Sequence, residues 1–181
     1  MELGRKPFQG VFNIIRFNWH FYVIASILFI ALLQLKKYFQ EPIQSIILTG
    51  IIFGILTIVI SILVSHYVYD VSDLYKLKWL GNLNDKKVLN INAGFDEISE
   101  IIQSLFPQSD LSICDFYNPA MHTEVSIKRA RKAYPPQPNT IPVQTDKLPF
   151  SDSSLDCTLA ILSAHEIRDI IERIQFFKEL H

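Results

Sequence analysis

Cysteine is scarce in this sequence, and the two that occur form neither a metal-binding nor a disulfide pattern. The 181 residues include only Cys114 and Cys157, both inside apolar runs, with no Cys-x-x-Cys and no cysteine–histidine spacing typical of a metal site. Thiols in such surroundings are usually small buried hydrophobes. We therefore expect no metal site, and the two free thiols suit a reducing, cytosolic soluble domain.

An excess of basic charge is also lacking. The chain has 17 Lys and Arg residues against 18 Asp and Glu residues, a formal net charge of −1. The first 69 residues carry five basic and two acidic side chains, whereas the remainder carries 12 basic and 16 acidic ones. A mildly acidic soluble part gives no indication of a nucleic-acid partner.

Charged residues are missing altogether from two stretches near the N-terminus, 17–35 and 43–68, which are 19 and 26 residues long. A helix needs about 20 apolar residues to cross a bilayer core. The first stretch is marginal, and a signal peptide is the alternative, but Lys36 and Lys37 follow it without a small-residue cleavage site. We therefore predict a transmembrane helical hairpin over residues 1–69, with the lipid bilayer as its partner.

The short connection between the two stretches predicts that both ends of the hairpin lie on one side of the membrane. Both outer flanks are basic, which places both termini and the soluble domain in the cytoplasm; the residues are Arg5, Lys6, Arg16, Lys76, Lys78, Lys86 and Lys87. Gly50 and Gly54 form a small-residue stripe that allows close helix packing. Their partner is either the first helix of the same chain or a second copy, which would give a homodimer.

A linker over 70–87 leads into alternating strand and helix patterns. The predicted strands cover 88–92, 111–117, 140–144 and 155–162, and the predicted helices cover 97–106, 118–133 and 165–181. Short connections between them indicate an α/β fold with a parallel sheet and right-handed crossovers. The last helix shows an apolar face at helical spacing, formed by Ile167, Ile170, Ile171, Ile174 and Phe177.

The soluble part also resembles a known family. Residues 88–96 read Val-Leu-Asn-Ile-Asn-Ala-Gly-Phe-Asp, similar to the first strand and glycine-rich turn, VLDIGCGTG, of class I S-adenosylmethionine-dependent methyltransferases. Asp115 follows Gly94 by 21 residues, where the family has an acid closing its second strand. Leu-Pro-Phe at 148–150 and Phe-Lys-Glu-Leu at 177–180 fit the family pattern further along, so the resemblance spans 88–181.

The resemblance implies a partial Rossmann-like methyltransferase domain over 88–181, with a parallel sheet of strand order 3-2-1-4. The family has seven strands, so we expect the chain to be incomplete at its C-terminus. The implied function is a membrane-anchored methyltransferase that uses S-adenosylmethionine on an unknown acceptor, for example a lipid, a quinone or another membrane-proximal small molecule. The alternative is a non-catalytic, membrane-tethered binding or scaffold module on a degenerate methyltransferase fold.

The resemblance also implies a cofactor site. Its residues would be Asn90, Asn92, Gly94, Asp115, Phe116, Gln144 and Thr145. In the family the turn at Gly94 passes under the methionine part, the acid at Asp115 binds the ribose hydroxyls, and Phe116 or Tyr117 would pack on the adenine. Asp115 could instead be a turn acid before Asn118. His165, at the start of the last helix, is either close to the substrate or a polar cap.

Three departures from the family pattern favour the degenerate alternative. Asn90 replaces an acid, and Asn92 and Asp96 replace glycines, although Asp96 could cap the following helix. Methyl transfer mainly requires alignment of a nucleophile with the methyl group, so the catalytic residue is unknown from sequence. A basic cluster on the predicted second helix of the soluble part is either a solvated face or a contact for anionic lipid; it comprises Lys128, Arg129, Arg131 and Lys132.

Overall fold

The computed structural model describes residues 6–181, so Arg5 of the predicted basic flank lies outside the described residues. The chain divides into two compact units, one that runs up to Leu74 and one that begins at Tyr75. The first is a helical hairpin and the second is an α/β unit.

The hairpin consists of two long helices, α1 (Gln9–Leu35) and α2 (Ile43–His66). A 3-10 turn, Lys36–Tyr38, follows α1, and a π-helical turn, Tyr67–Val71, follows α2. Both helices are long and apolar enough to span a membrane, as predicted. They expose large apolar side chains around their circumference rather than along one buried stripe, for example Ile27 at 63% and Phe53 at 66%. Such all-round apolarity is typical of helices that contact lipid.

The outer end of the hairpin is fastened by Asp70. Its carboxylate accepts hydrogen bonds from the backbone N–H groups of Gly10 at 2.7 Å and Val11 at 2.9 Å. These are among the first-turn donors of α1, which have no partner within the helix. A Cβ at position 10 would collide with Cβ of Tyr69 and lie 2.9 Å from Oδ1 of Asp70. Glycine at position 10 therefore lets the chain after α2 approach the start of α1.

The two glycines of the small-residue stripe have different surroundings. A Cβ on Gly54 would lie 2.7 Å from the ring of Phe29 in α1, whereas a Cβ on Gly50 would meet nothing within 4 Å. The close approach at Gly54 is thus used within the chain, and the space beside Gly50 is open.

The α/β unit contains a four-stranded parallel sheet of order β3-β2-β1-β4, which confirms the predicted order. The strands are β1 (Lys87–Asn92), β2 (Asp110–Asp115), β3 (Ile141–Pro142) and β4 (Cys157–Leu159). The register pairs Asn92 with Asp115 at the ends of β1 and β2. The helices are α3 (Ser99–Leu105), α4 (Val125–Ala133) and α5 (Ile170–Glu179).

Two buried clusters cover the faces of the sheet. Leu89 and Ile91 of β1 pack with Phe116 and Phe176 in one cluster. Val88 packs with Ile102 of α3 in the other, together with Leu77 and Leu83 of the predicted linker. Burial of β1 on both faces explains why its sequence is an apolar run without strict alternation.

The prediction that five apolar residues of the last helix face the core is wrong for four of them. Ile167 is buried, but Ile170, Ile171, Ile174 and Phe177 are between 52% and 74% exposed. The side chain of α5 that enters the core is Phe176, which is fully buried. Helical spacing locates an apolar stripe, but the orientation of the helix on the sheet decides which side is covered.

Candidate functional site

The candidate site lies at the carboxyl ends of the parallel strands. Because Asn92 and Asp115 are register partners, the turn after β1 and the acid that closes β2 are neighbours. Ligands of open α/β sheets bind at this edge, beside the strand from which successive connections run in opposite directions. In the order 3-2-1-4 that strand is β1.

Asn92 shapes the turn after β1. Its side-chain oxygen accepts a hydrogen bond from N–H of Gly94, and its Nδ2 donates to the carbonyl of Cys114, both at 3.1 Å. Gly94 has a φ of +93°, a conformation that side-chain-bearing residues rarely adopt. Asn92 thus ties the glycine turn to the neighbouring strand.

Asn90 and Asp96 form a buried polar cluster beneath this turn. Asn90 Nδ2 donates to Ser99 Oγ at 2.8 Å and to Asp96 Oδ1 at 3.2 Å. Asp96 Oδ1 also accepts from the N–H groups of Ile98 and Ser99, both at 3.0 Å, so Asp96 caps α3. An acid at position 90 would place a second negative charge beside the Asp96 carboxylate. The neutral amide of Asn90 avoids this repulsion and donates a hydrogen bond to Asp96 instead. The other oxygen, Asp96 Oδ2, is buried and has no hydrogen-bond partner among residues 6–181.

The carboxylate of Asp115 is fully engaged by its own chain. Its Oδ1 accepts from N–H of Tyr117 at 2.9 Å, and its Oδ2 forms an ion pair with Arg131 of α4. The Asp115 side chain is only 5% exposed. Arg131 therefore occupies the side of the Asp115 carboxylate at Oδ2.

Tyr117 covers the glycine turn. A Cβ on Gly94 would lie between 2.7 and 3.0 Å from Cδ2, Cγ and Cβ of Tyr117. The guanidinium carbon of Arg131 lies 4.5 Å from the centroid of the Tyr117 ring. His122 stacks on the same ring at 5.5 Å and an interplanar angle of 22°. Gly94, Tyr117, Asp115 and Arg131 thus form one contact group at the end of β1 and β2.

Phe116, Gln144 and Thr145 line an adjoining cleft of about 930 Å³, next to the ends of β2 and β3 and the start of α5; Tyr117 also lines it. Phe116 is buried and contributes to the core, which leaves Tyr117 as the aromatic side chain over the turn. Thr145 donates to Oε1 of Glu172 in α5 at 2.6 Å. Acidic residues share the lining, namely Asp146, Glu166, Asp169 and Glu172. The predicted site residues therefore fall into two groups, one at the β1 turn and one in the cleft.

His165 belongs to neither group. Its side chain is 66% exposed, its Nε2 lies 3.1 Å from Oε1 of Glu166, and it does not line the cleft. It lies in a 3-10 turn, Ala164–Glu166, ahead of α5, so it does not start that helix. The N-cap of α5 is Asp169, whose carboxylate accepts from N–H of Glu172 at 2.8 Å.

The cysteines are poor nucleophiles here. Burial, and to a smaller degree the charge of Asp115, raises the pKa of Cys114 to about 11. The pKa of Cys157 is also raised, chiefly by burial. Within residues 6–181 no group of three or more His, Cys, Asp or Glu side chains is placed to hold a metal ion.

Arg131 is the residue of the site that sequence analysis did not assign. The sequence places Arg131 only in a basic cluster, with solvent or lipid as the expected surroundings. Its contact with Asp115 joins residues 16 positions apart through the packing of α4. The sequence signal for this ion pair was a basic residue on the helix that follows the strand ending in Asp115. That signal does not show which basic residue of the cluster contacts the acid.

Comparisons with protein-family models, with curated proteins and with solved structures found no match to this chain. The functional interpretation of the site therefore rests on its residues and their geometry.

Proposed function

We propose that the protein is a membrane-anchored S-adenosylmethionine-dependent methyltransferase with a Rossmann-like domain. The observation that carries the proposal is the pairing of a glycine turn with an acid-terminated strand. Gly94, at a φ of +93°, follows β1, and Asp115 closes the adjacent strand of a parallel 3-2-1-4 sheet. This is the place where α/β folds of this topology bind nucleotides.

The residues at this edge of the sheet have the chemical groups that S-adenosylmethionine requires. Asp115 supplies an acceptor for the two ribose hydroxyls, and the buried, unpartnered Oδ2 of Asp96 supplies an acceptor near the turn for the ammonium group. Phe116, Gln144 and Thr145 line the adjoining cleft, where the adenine would lie. The bound cofactor supplies an electrophilic methyl group on a sulfonium. The chain's own residues then bind and orient it and exclude water, which is the main requirement of this reaction.

We propose that α1 and α2 are the membrane anchor, with both termini and the α/β unit in the cytoplasm. Support comes from the two long helices with exposed apolar side chains and from the basic residues at the outer flanks. The methyl acceptor is unknown; an acceptor close to the membrane suits the anchor. The open space beside Gly50 is compatible with helix packing in a homodimer.

A second function is favoured by a specific observation. Both side-chain groups of Asn92 and both oxygens of Asp115 are hydrogen-bonded or ion-paired within the chain. This arrangement is stable without a ligand, as expected of a non-catalytic, membrane-tethered binding or scaffold module on a degenerate methyltransferase fold.

Calorimetric titration of the full-length protein in detergent with S-adenosylmethionine separates the two functions. The methyltransferase proposal predicts saturable binding that weakens on the order of tenfold in Asp115→Asn, since a charge-assisted hydrogen bond is worth roughly 1.5–3 kcal/mol. Asp110→Asn is the matched control, because Asp110 is an exposed acid at the opposite end of the same strand. If the wild-type protein binds no cofactor at millimolar concentration, the enzyme proposal fails and the binding module stands.

A further inference from the structure

We propose that Arg131 is a tethered occupant of the nucleoside position at Asp115 and Tyr117, and that a ligand must displace it to bind. The inference rests on the proposed cofactor function and adds a built-in competitor to it. Arg131 then sets how tightly the site binds its ligand, although it does not belong to the binding surface of the occupied state.

The chemistry of the guanidinium matches that of a nucleoside at this position. A nucleoside held at the end of a second strand offers hydroxyl donors to the strand-end carboxylate and a flat ring to an aromatic side chain. Arg131 makes both kinds of contact, an ion pair with Asp115 Oδ2 and a stack on the Tyr117 ring at 4.5 Å. A planar group with several N–H donors is the protein side chain best able to do both.

The position of Arg131 in the fold allows it to leave. It lies in the last turn of α4, and its side chain is 31% exposed, so a rotation can carry the guanidinium into solvent. The chain beyond α4 stays close to the turn, because the rings of Tyr134 and Phe95 meet edge to face at 5.3 Å. The backbone near Arg131 is thus fixed by other contacts, and only the side chain needs to move.

Displacement has a defined effect on affinity. When only a fraction of molecules is competent to bind, the apparent Kd equals the intrinsic Kd divided by that fraction. An occupant that holds Asp115 in nine molecules of ten would weaken apparent binding about tenfold. Removing the occupant should therefore tighten binding, whereas removal of a residue that holds the ligand would weaken it.

The first test measures S-adenosylmethionine affinity in the full-length protein in detergent for three variants. Arg131→Ala should bind on the order of tenfold more tightly than wild type, and Arg131→Lys should fall between them, because lysine keeps the charge but loses the planar stack. Lys132→Ala is the matched control, since it removes the same charge from the same helix end and should leave affinity unchanged. Equal or weaker binding by Arg131→Ala would overturn the proposal.

The second test uses the wild-type protein, because loss of Arg131 leaves Asp115 as a buried, unpaired charge and could prevent folding. Phenylglyoxal modifies accessible arginines, and mass spectrometry can measure its rate at Arg131. Saturating S-adenosylmethionine should raise this rate at least severalfold, because the displaced guanidinium enters solvent. A rate that falls or stays constant contradicts displacement. If neither the wild type nor any variant binds S-adenosylmethionine, the proposed function is refuted as well. If the wild type binds it but Arg131 is not released, only the displacement is refuted.

Discussion

Replacement of Gly94 by alanine should destabilise the α/β unit by about 3 kcal/mol. An alanine at a φ of +93° carries a backbone cost of roughly 1–2 kcal/mol. The new Cβ would also lie 2.7 to 3.0 Å from Cδ2, Cγ and Cβ of Tyr117. Cβ and Cγ do not move when the ring rotates about the Cβ–Cγ bond, so ring rotation cannot relieve the overlap, and overpacking of this kind costs roughly 1–3 kcal/mol.

Thiol exposure is a suitable assay for the full-length protein in detergent. Cys114 lies in β2 and is fully buried, so its modification reports unfolding of the sheet; a Cys157→Ser background removes the second thiol. The Gly94→Ala variant should expose Cys114 at a midpoint lower by at least about 10 °C, because 1 kcal/mol corresponds to roughly 4–8 °C in a domain of this size. Gly81→Ala is the control, since a Cβ there meets nothing within 4 Å.

A double mutant separates the two parts of the cost. Tyr117→Ala removes Cγ and Cδ2, the two closest atoms, and keeps Cβ at 3.0 Å. Gly94→Ala in that background should therefore retain the backbone part and lose most of the packing part, so the two substitutions should couple by about 1–3 kcal/mol. If Gly94→Ala is no more harmful than Gly81→Ala, or if its cost is the same with and without the Tyr117 ring, the packing described for the turn is refuted.

Three further predictions concern the thiol, the hairpin and the membrane topology. Because the pKa of Cys114 is raised from 9.0 to about 11 in the folded state, the thiol of the unfolded chain ionises first, and stability should fall as the pH rises from about 9 to 11. Cys114→Ser should remove this loss in alkaline denaturation curves, and an unchanged pH dependence would contradict the assignment. Gly10→Ala should destabilise the hairpin by at least about 2 kcal/mol through the contact with Tyr69 and loss of the Asp70 cap. Gly50→Ala is the control and should be neutral or slightly stabilising, because its Cβ enters open space. Equal thermal midpoints of the two variants in detergent would count against the Asp70 contact. Epitope tags at either terminus should be protected from protease in intact cells, and cleavage of either tag would refute the proposed topology.

The strand order followed from the family resemblance, and the patterns that carry this resemblance are local to the chain. The apolar run of β1, the turn at Gly94 and the acid at Asp115 each have a sequence signature, and short connections allow few topologies. The role of Asp96 as a helix cap was also accessible, because capping acts within three residues.

Other features depended on packing that the sequence does not encode locally. The second helix of the α/β unit begins at Val125 rather than directly after Asn118. Residues 118–122 form a separate turn, in which Asn118 Oδ1 accepts from N–H of Ala120 and His122 Nδ1 accepts from N–H of Asn118, both at 2.9 Å. The exposed apolar face of α5 and the Arg131–Asp115 pair likewise follow from how helices lie on the sheet, which spacing alone leaves open.

Photochemical cross-linking tests the proposed cofactor site most directly. The full-length protein in detergent is irradiated with S-adenosylmethionine carrying a radioactive methyl group, and the labelled peptides are identified. We predict saturable labelling of the segments 88–96 or 115–122, which contain the glycine turn and the residues that follow β2, with competition by unlabelled cofactor. Labelling confined to the helical hairpin, or labelling that excess unlabelled cofactor does not reduce, would contradict a cofactor site at the carboxyl ends of β1 and β2.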